Sequence, residues 1–300
     1  MSQTPLANGG CRYSVSHVTE YQYSLPVSQS RQLLRLSPRN LAWQQCDSAR
    51  IQVDPLPDEW FELNDFFGNH LAQFALHMPH TRLSVRVDSE VCVLPHTAQY
   101  APQESLPWER VCQQLAAGGT EMLDPIQFLF PSPFIPIDNA LSRYAMPSFT
   151  PNRPLLAALL EFTERIFTDF SFDPTATTIA TPVETVLQEK KGVCQDFAHL
   201  QIACLRSIGL AARYVSGYIL TQPPPGQARM IGADASHAWV SVFCPPYGWV
   251  DIDPTNNLLP DTQHVTVAWG RDFGDVSPMH GIIFGGGAHT LEVQVTVMPQ

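Results

Sequence analysis

The sequence is poor in charge, and it lacks both a long apolar run and a basic surface. Of its 300 residues 15% are charged, and 17 Lys and Arg oppose 28 Asp and Glu, which gives a net charge of −11. A nucleic-acid-binding protein needs basic residues to contact phosphates, so this composition argues against a nucleic-acid partner. No run of about 18 apolar residues is present, so the sequence predicts neither a transmembrane span nor a membrane partner.

The cysteines also lack a paired pattern. There are seven, widely spaced, and none belongs to a CxxC motif, which argues against zinc-ribbon and thioredoxin-like sites. An odd set of scattered thiols is typical of a reducing compartment. The N-terminus has neither the basic nor the apolar segment of a signal peptide. These features predict a cytoplasmic protein with reduced thiols.

The pattern of apolar residues changes along the chain. Residues 11–95 alternate with a period of two, which predicts an N-terminal antiparallel β domain. Residues 96–150 are rich in proline and predict a connecting segment that wraps a surface. Residues 151–300 begin with helical spacing and continue as strands. The predicted fold class is therefore α+β, with a second domain in which helices precede an antiparallel sheet.

Two helices of this second domain precede its strands. The first is predicted to begin with Thr181 as N-cap and to end at Gly192. The second is predicted to begin at Cys194 and to end at Gly209, with apolar residues along one face. The proline- and glycine-rich segment 221–235 predicts a mobile loop.

Cys194 is the candidate nucleophile because it stands at the predicted start of a helix. Free backbone N–H groups and the positive end of the helix dipole favour the thiolate, which is the reactive form of cysteine. The same N–H groups can stabilise an oxyanion. Cys204 falls on the apolar face of the same helix, where a cysteine is normally buried and inert.

A nucleophilic thiol needs a base, and His237 lies at the entry to a predicted strand in DASHAWVSV. His199 follows Cys194 by five residues and points about 140° away around the helix, so we assign it a packing or capping role. Asp251 and Asp253 lie two residues apart in GWVDID, and either could orient the imidazole. A hairpin through CPPYG would bring the two strands together, and a helix-borne thiol facing them would form the papain-type arrangement.

The strings that carry these residues resemble the bacterial transglutaminase-like family. They are GVCQDFAHLQIACLRSIGLAARYVSGYI, DASHAWVSV and GWVDIDPTNN, flanked by YSVSHVTEYQYSLPVSQSRQLLRLSPR and HVTVAWGRDFGDVSPMHGIIFGGGAHTLEVQVTV. The resemblance implies an N-terminal β domain, then a papain-like or transglutaminase-like core in which the nucleophile helix packs on an antiparallel sheet. It implies catalytic Cys194, His237 and Asp253, and so prefers Asp253 to Asp251.

Further residues of these strings are candidates for the substrate-binding surface. Some adjoin the nucleophile and the base in sequence, and others belong to the family string GRDF-x-DV. The set is Asp196, Ser236, Trp239, Arg271, Asp272 and Asp275. For the GRDF-x-DV residues, an ion-pair network at a strand end is an equally good interpretation.

The expected chemistry is acyl transfer through a thioester on Cys194, with no cofactor or metal, on peptide, isopeptide or glutamine-type amide bonds of a protein or peptide partner. Transfer to water would make a peptidase or amidase, and transfer to a primary amine would make a transglutaminase. We expect hydrolysis, because the exclusion of water requires a specialised cleft. The sequence contains no DxDxDG loop, so no motif of this kind predicts activation by calcium.

Two other classes of function are open. An inactive binding or scaffold module is one, against which the intact Cys, His and Asp set argues. A metal site formed by Cys194, His199, His237 and an acid is the other, but the spacing of these residues fits no common zinc pattern.

Overall fold

The computed structural model describes residues 9–221 and 236–300, so nearly all of the predicted loop 221–235 lies outside the described residues. The strands are β1 (Cys11–Leu34), β2 (Gln44–Asp54), β3 (Glu59–Asn64), β4 (His70–Leu76), β5 (His80–Val93), β6 (Ser171–Phe172), β7 (Lys191–Gly192), β8 (Ala212–Ile219), β9 (Ser236–Phe243), β10 (Trp249–Ile252), β11 (His264–Gly270), β12 (Met279–Gly285) and β13 (His289–Pro299).

The helices lie mostly in the middle of the chain. They are α1 (Trp108–Ala117), α2 (Leu123–Ile126), α3 (Asn139–Ala145), α4 (Leu155–Asp169), α5 (Val183–Glu189), α6 (Cys194–Ser207) and α7 (Phe273–Val276). Within the described ranges, none of them has the length and apolar character that a membrane span requires.

The N-terminal sheet is antiparallel and is built around β1. Its strand order is β2-β5-β1-β4-β3, which confirms the antiparallel sheet predicted for the first part of the chain. The strands β12 and β13 also pair with β1, at residues 27–34 and 13–23. The end of the chain therefore extends the N-terminal sheet. The predicted domain boundary, which assigned residues 151–300 to the core, implied the core sheet instead. Without these two strands, one edge of β1 would be left unpaired.

The connecting segment 96–150 is more ordered than its proline content predicts. It holds α1, α2 and α3. Val111, Phe128 and Leu141 are buried in the main hydrophobic core, so this segment contributes to the core as well as covering it.

The second domain places α6 against an antiparallel sheet of order β10-β9-β8-β11. The helix begins at Cys194, as the sequence predicts, and Leu200, Ala203 and Cys204 are completely buried on it. Opposite them lie apolar residues of β9 such as Val240 and Val242. The α+β fold class predicted from the sequence is thus confirmed.

Helix α5 differs at both ends from its prediction. Pro182 occupies the N-cap position, and the Thr181 hydroxyl accepts a hydrogen bond from the Thr178 N–H instead of capping the helix. The helix ends at Lys190 in a left-handed conformation with φ of 56°. Gly192 belongs to β7, because its backbone pairs with Phe172 of β6.

The two sheets meet through side-chain amides that pair with the outer edge of β11. The Gln44 amide donates to the Thr266 C=O at 2.7 Å and accepts from the Thr266 N–H at 2.7 Å. The Asn69 amide makes the same two contacts with Trp269, at 2.8 and 2.9 Å. Both amides are buried, so they satisfy backbone groups that an edge strand would otherwise leave unpaired.

We expect Asn69→Ala to destabilise the protein, because it leaves the N–H and C=O of Trp269 buried without these partners. The expected loss in the free energy of unfolding is about 1–3 kcal/mol, measured by urea denaturation. Gln45→Ala is the matched control, because Gln45 is exposed on β2 and should change the free energy by less than about 0.5 kcal/mol. Equal effects of the two variants would show that the amide contacts do not support β11.

Candidate active site

Cys194 is the first residue of α6, and its side chain is partly exposed. The first N–H groups of a helix have no acceptor within it, so the Cys194 N–H points out of the helix beside the thiol. Asp196 fixes this turn, since its Oδ2 accepts from the Val193 N–H at 2.8 Å and from the Thr177 hydroxyl at 2.6 Å. The site thus has a thiol and a free donor side by side.

A glycine is required immediately before this turn. A Cβ atom added to Gly192 would lie 2.8 Å from both Cβ and Oδ2 of Asp196. Asp196 itself is 3% exposed and is occupied by its capping contacts. Its position therefore indicates a role in holding the helix start and does not support the predicted contact with substrate.

His237 lies between the thiol and a carboxylate. Its Nε2 is 2.7 Å from Oδ2 of Asp253, and the Cys194 thiol lies close enough to the ring to raise its pKa. Since Nε2 faces Asp253, Nδ1 is the nitrogen available to the thiol. The predicted hairpin makes this possible, because β9 and β10 are antiparallel neighbours with Val240 opposite Ile252.

The charges of this pair follow from its burial. His237 is 7% exposed and Asp253 is 0% exposed. Burial by itself lowers the pKa of His237, but the Asp253 carboxylate and the nearby Cys194 sulfur outweigh it and raise this pKa to about 10. Burial raises the pKa of Asp253, but the donors around it, His237 and His264, hold that pKa well below its usual range. At neutral pH the pair is an imidazolium beside a carboxylate.

The Asp253 carboxylate accepts from donors on every side. Its Oδ1 receives the N–H groups of Thr255 at 2.9 Å and Asn256 at 3.2 Å. Its Oδ2 receives the Asn256 amide at 2.7 Å and His264 Nε2 at 3.1 Å, in addition to His237. The DPTN string is thus a turn that folds its own backbone around the acid.

Two residues of this network, His264 and Asn256, were absent from the residues predicted from the sequence. Asn256 stands within DPTN, and His264 is a polar residue at the entry to an apolar strand, just as His237 is. This repeated strand-entry histidine was the available signal, but nothing local indicates that the two strands converge on one carboxylate.

The second acid, Asp251, holds a tryptophan instead of the base. Its Oδ2 accepts from Trp239 Nε1 at 3.0 Å. Trp239 is 0% exposed, and its ring lies edge-on to His264 with centroids 5.2 Å apart. Trp239 therefore supports the histidines from within the protein, and its predicted place on the substrate-binding surface is not supported. Ser236 is half-buried beside His237, and its binding role stays a prediction.

The GRDF-x-DV residues lie against the middle and the C-terminal end of α6. Arg271 and Asp275 form a two-contact ion pair at 2.8 and 3.0 Å, and Asp272 caps α7 by accepting from the Gly274 N–H. The Arg206 guanidinium donates to the Arg271 C=O at 2.7 Å. Arg206 is twelve residues after Cys194, about 18 Å along a helix. The contacts of Arg271 and Asp275 therefore fit the ion-pair interpretation and do not support substrate binding next to the thiol.

Arg271 and Asp275 also line a separate groove. Its volume is about 530 Å³, and its exposed apolar side chains include Phe66 and Phe130. The distance along α6 places this groove away from the thiol.

His199 has the packing role predicted for it. Its Nε2 accepts from the Phe273 N–H at 3.2 Å, and its ring stacks on Phe134. Burial lowers its pKa to about 4, so it is neutral. Cys204 is completely buried and burial raises its pKa, in agreement with an inert thiol.

The alternative metal site is not assembled by the residues proposed for it. Among the described residues, the grouped potential ligands are His237, Asp253 and His264, whose ligand atoms lie within 4.8 Å of one another. Cys194 and His199 are not part of this group. Both imidazoles direct Nε2 at the same carboxylate oxygen, which is the pattern of a hydrogen-bond network.

Comparison with known proteins agrees with the motifs. Residues 13–92 match the bacterial transglutaminase-like N-terminal region, and residues 147–254 match the transglutaminase-like superfamily. A Mycobacterium tuberculosis protein of uncharacterised function is 42% identical over 307 residues, covering 97% of this chain and 94% of that protein. A protein-glutamine gamma-glutamyltransferase of Pseudomonas aeruginosa is 30% identical over 115 residues, which are 36% of this chain and 16% of that enzyme.

A solved structure has the same fold over nearly its whole length. It is a Cytophaga hutchinsonii protein described provisionally as a cysteine protease, with a TM-score of 0.75 and 21% identity, covering 97% of this chain and 91% of that chain. The range that matches the superfamily, residues 147–254, includes Cys194, His237 and Asp253. The chain therefore belongs to the transglutaminase-like superfamily and carries the bacterial transglutaminase-like N-terminal region ahead of its core.

Proposed function

We propose that the protein is a cysteine-dependent enzyme that hydrolyses peptide, isopeptide or glutamine-type amide bonds of a protein or peptide substrate. One observation carries the proposal: His237 is close enough to the Cys194 thiol for the thiol to raise its pKa, and its Nε2 is 2.7 Å from the buried carboxylate of Asp253. This supports the roles of nucleophile for Cys194, base for His237 and orienting group for Asp253.

The first half of the reaction forms a thioester. Nδ1 of the His237 imidazolium holds the proton that the thiol has given up, and the Cys194 sulfur attacks the amide carbonyl carbon. The Cys194 N–H is placed to donate to the resulting oxyanion. As the C–N bond breaks, the imidazolium gives its Nδ1 proton to the leaving amine. Asp253 stabilises the imidazolium and accepts the hydrogen bond from its Nε2–H, which keeps that proton on Nε2.

The second half regenerates the thiol. Water attacks the thioester carbonyl, His237 Nδ1 takes its proton, and the carboxylic acid leaves as the C–S bond breaks. Hydrolysis is favoured because the Cys194 side chain is partly exposed, so water has access to the acyl group.

A primary amine in place of water would make the enzyme a transglutaminase. This second candidate is supported by the partial similarity to the Pseudomonas aeruginosa protein-glutamine gamma-glutamyltransferase. The acyl-enzyme is common to both reactions, so the two differ only in the acceptor.

We expect wild-type protein to convert small glutamine-containing and isopeptide-containing peptides to the carboxylic acid, and Cys194→Ala to leave them intact. Mass spectrometry with and without a millimolar primary amine measures both products. Cys204→Ala is the matched control, because Cys204 lies on the same helix away from the site, and it should retain activity. An amine adduct that exceeds the acid would favour transamidation, and identical spectra for wild type and Cys194→Ala would contradict the proposed substrates.

The pH dependence of thiol alkylation tests the catalytic pair without a substrate. Because the pKa of His237 is raised from its ordinary value of 6.5 to about 10, the imidazolium is present throughout the acidic and neutral range and is lost only as pH rises through about 10. We expect Cys194 to react with iodoacetamide at pH 6 at least about tenfold faster than an ordinary thiol.

Cys92 is the comparison, because it is partly exposed as well. Peptide mass spectrometry separates the two rates, and His237→Gln should reduce the rate for Cys194 alone. If Cys194 reacted no faster than Cys92, or no faster than the buried Cys204, the enzyme proposal would fail.

A further inference from the structure

His264 contacts the catalytic carboxylate but has no part in the steps above. It begins β11 and is 4% exposed. Its Nε2 lies 3.1 Å from Oδ2 of Asp253, the oxygen that also receives His237 at 2.7 Å. One carboxylate oxygen therefore joins two histidines that come from different strands.

The hydrogen bonds fix the proton positions on both rings. A carboxylate oxygen can only accept, so both Nε2 atoms must carry a proton.

Within the described part of the chain, the side chain of His264 makes one polar contact, the hydrogen bond from Nε2 to Asp253. Its Nδ1 is buried and has no hydrogen-bond partner among the described residues. Trp239 packs edge-on against the ring, and Asp251 fixes Trp239 from behind. Among the residues that the structure describes, the ionisable groups in contact with the His264 ring are Asp253 and His237. An apolar side chain would fill this position without an unsatisfied nitrogen, so the hydrogen bond to Asp253 is what distinguishes histidine here.

We propose that His264 is a positioning residue, whose Nε2–H holds the Asp253 carboxylate in the orientation that receives His237. The inference rests on the proposed function, because it assigns His264 to the same site. His264 acts through Asp253 and does not touch the thiol or the substrate. The fixed carboxylate in turn aligns the imidazole so that Nδ1 meets the Cys194 sulfur.

Two substitutions separate this role from packing. His264→Phe keeps a ring against Trp239 but removes the donor, whereas His264→Gln keeps an N–H donor at a similar reach. The readout is the rate of alkylation of Cys194 by iodoacetamide from pH 5 to pH 9, corrected for the folded fraction by circular dichroism. This rate reports the thiolate held by His237 and requires no substrate.

We expect His264→Phe to lower the rate of Cys194 alkylation at pH 6 by about tenfold, and His264→Gln to stay within about threefold of wild type. The rate for Cys92 should be unchanged in both. Where a peptide substrate is turned over, His264→Phe should lower kcat and leave KM unchanged.

The inference is overturned if His264→Phe matches wild type at every pH, even with a lower melting temperature, because His264 would then serve packing alone. Equal loss in the Phe and Gln variants would overturn it too, since the donor would not matter. Stoichiometric zinc in purified wild type that is lost from His264→Gln would replace it with a metal site. If wild-type Cys194 reacts like Cys92, the proposed function itself has failed, which is a different result.

Discussion

The buried negative charge of Asp253 is the constraint that the site is built around. A carboxylate without access to water is stable only where donors replace its hydration. Here two backbone N–H groups, one amide and two imidazoles do so. The same charge raises the pKa of His237 and keeps an imidazolium beside the thiol at neutral pH. The contacts that stabilise the buried carboxylate are therefore also the contacts that raise the pKa of His237.

Strand β11 links this carboxylate to the N-terminal sheet. His264 stands at the start of β11, the strand whose outer edge is paired with the amides of Gln44 and Asn69. Apolar residues of the N-terminal sheet, among them Tyr13 and Val91, belong to the same core cluster as α6. The N-terminal region is thus part of what fixes one donor to Asp253, and the two family regions of the chain form one structural unit around the site.

The parts of the site that depend on neighbouring residues could be predicted from the sequence. The start of α6 at Cys194 and the hairpin that brings His237 to Asp253 follow from local patterns, and the family resemblance chose Asp253 over Asp251. His264 could not be found in this way, because β8 separates β9 from β11 in the sheet and no local signal gives strand order. The positions of Arg271 and Asp275 could not be predicted for the same reason. Their distance from the thiol depends on which part of α6 the segment after β11 packs against.

The pairing of β12 and β13 with β1 shows the same limit on a larger scale. The alternating pattern of β13 fits either sheet, and only the edge of the 24-residue β1 decides where β12 and β13 add. In the same way, the left-handed Lys190 ends α5 because the backbone of Gly192 is used by β6. Long-range pairing, which local propensity does not encode, decided each of these cases.

Both acids of the GWVDID string serve one network, although a catalytic site needs only one of them. Asp253 accepts a hydrogen bond from His237. Asp251 accepts one from Trp239, which follows His237 by two residues on β9. Trp239 can reach His264 only because Gly217 lies between them on β8: an added Cβ would be 2.5 Å from the Trp239 ring. The two acids are two residues apart, and so are the rings of His237 and Trp239 on β9. Each acid therefore meets one ring. Since the second ring packs against His264, Asp251 supports the carboxylate of Asp253 indirectly, through Trp239 and His264.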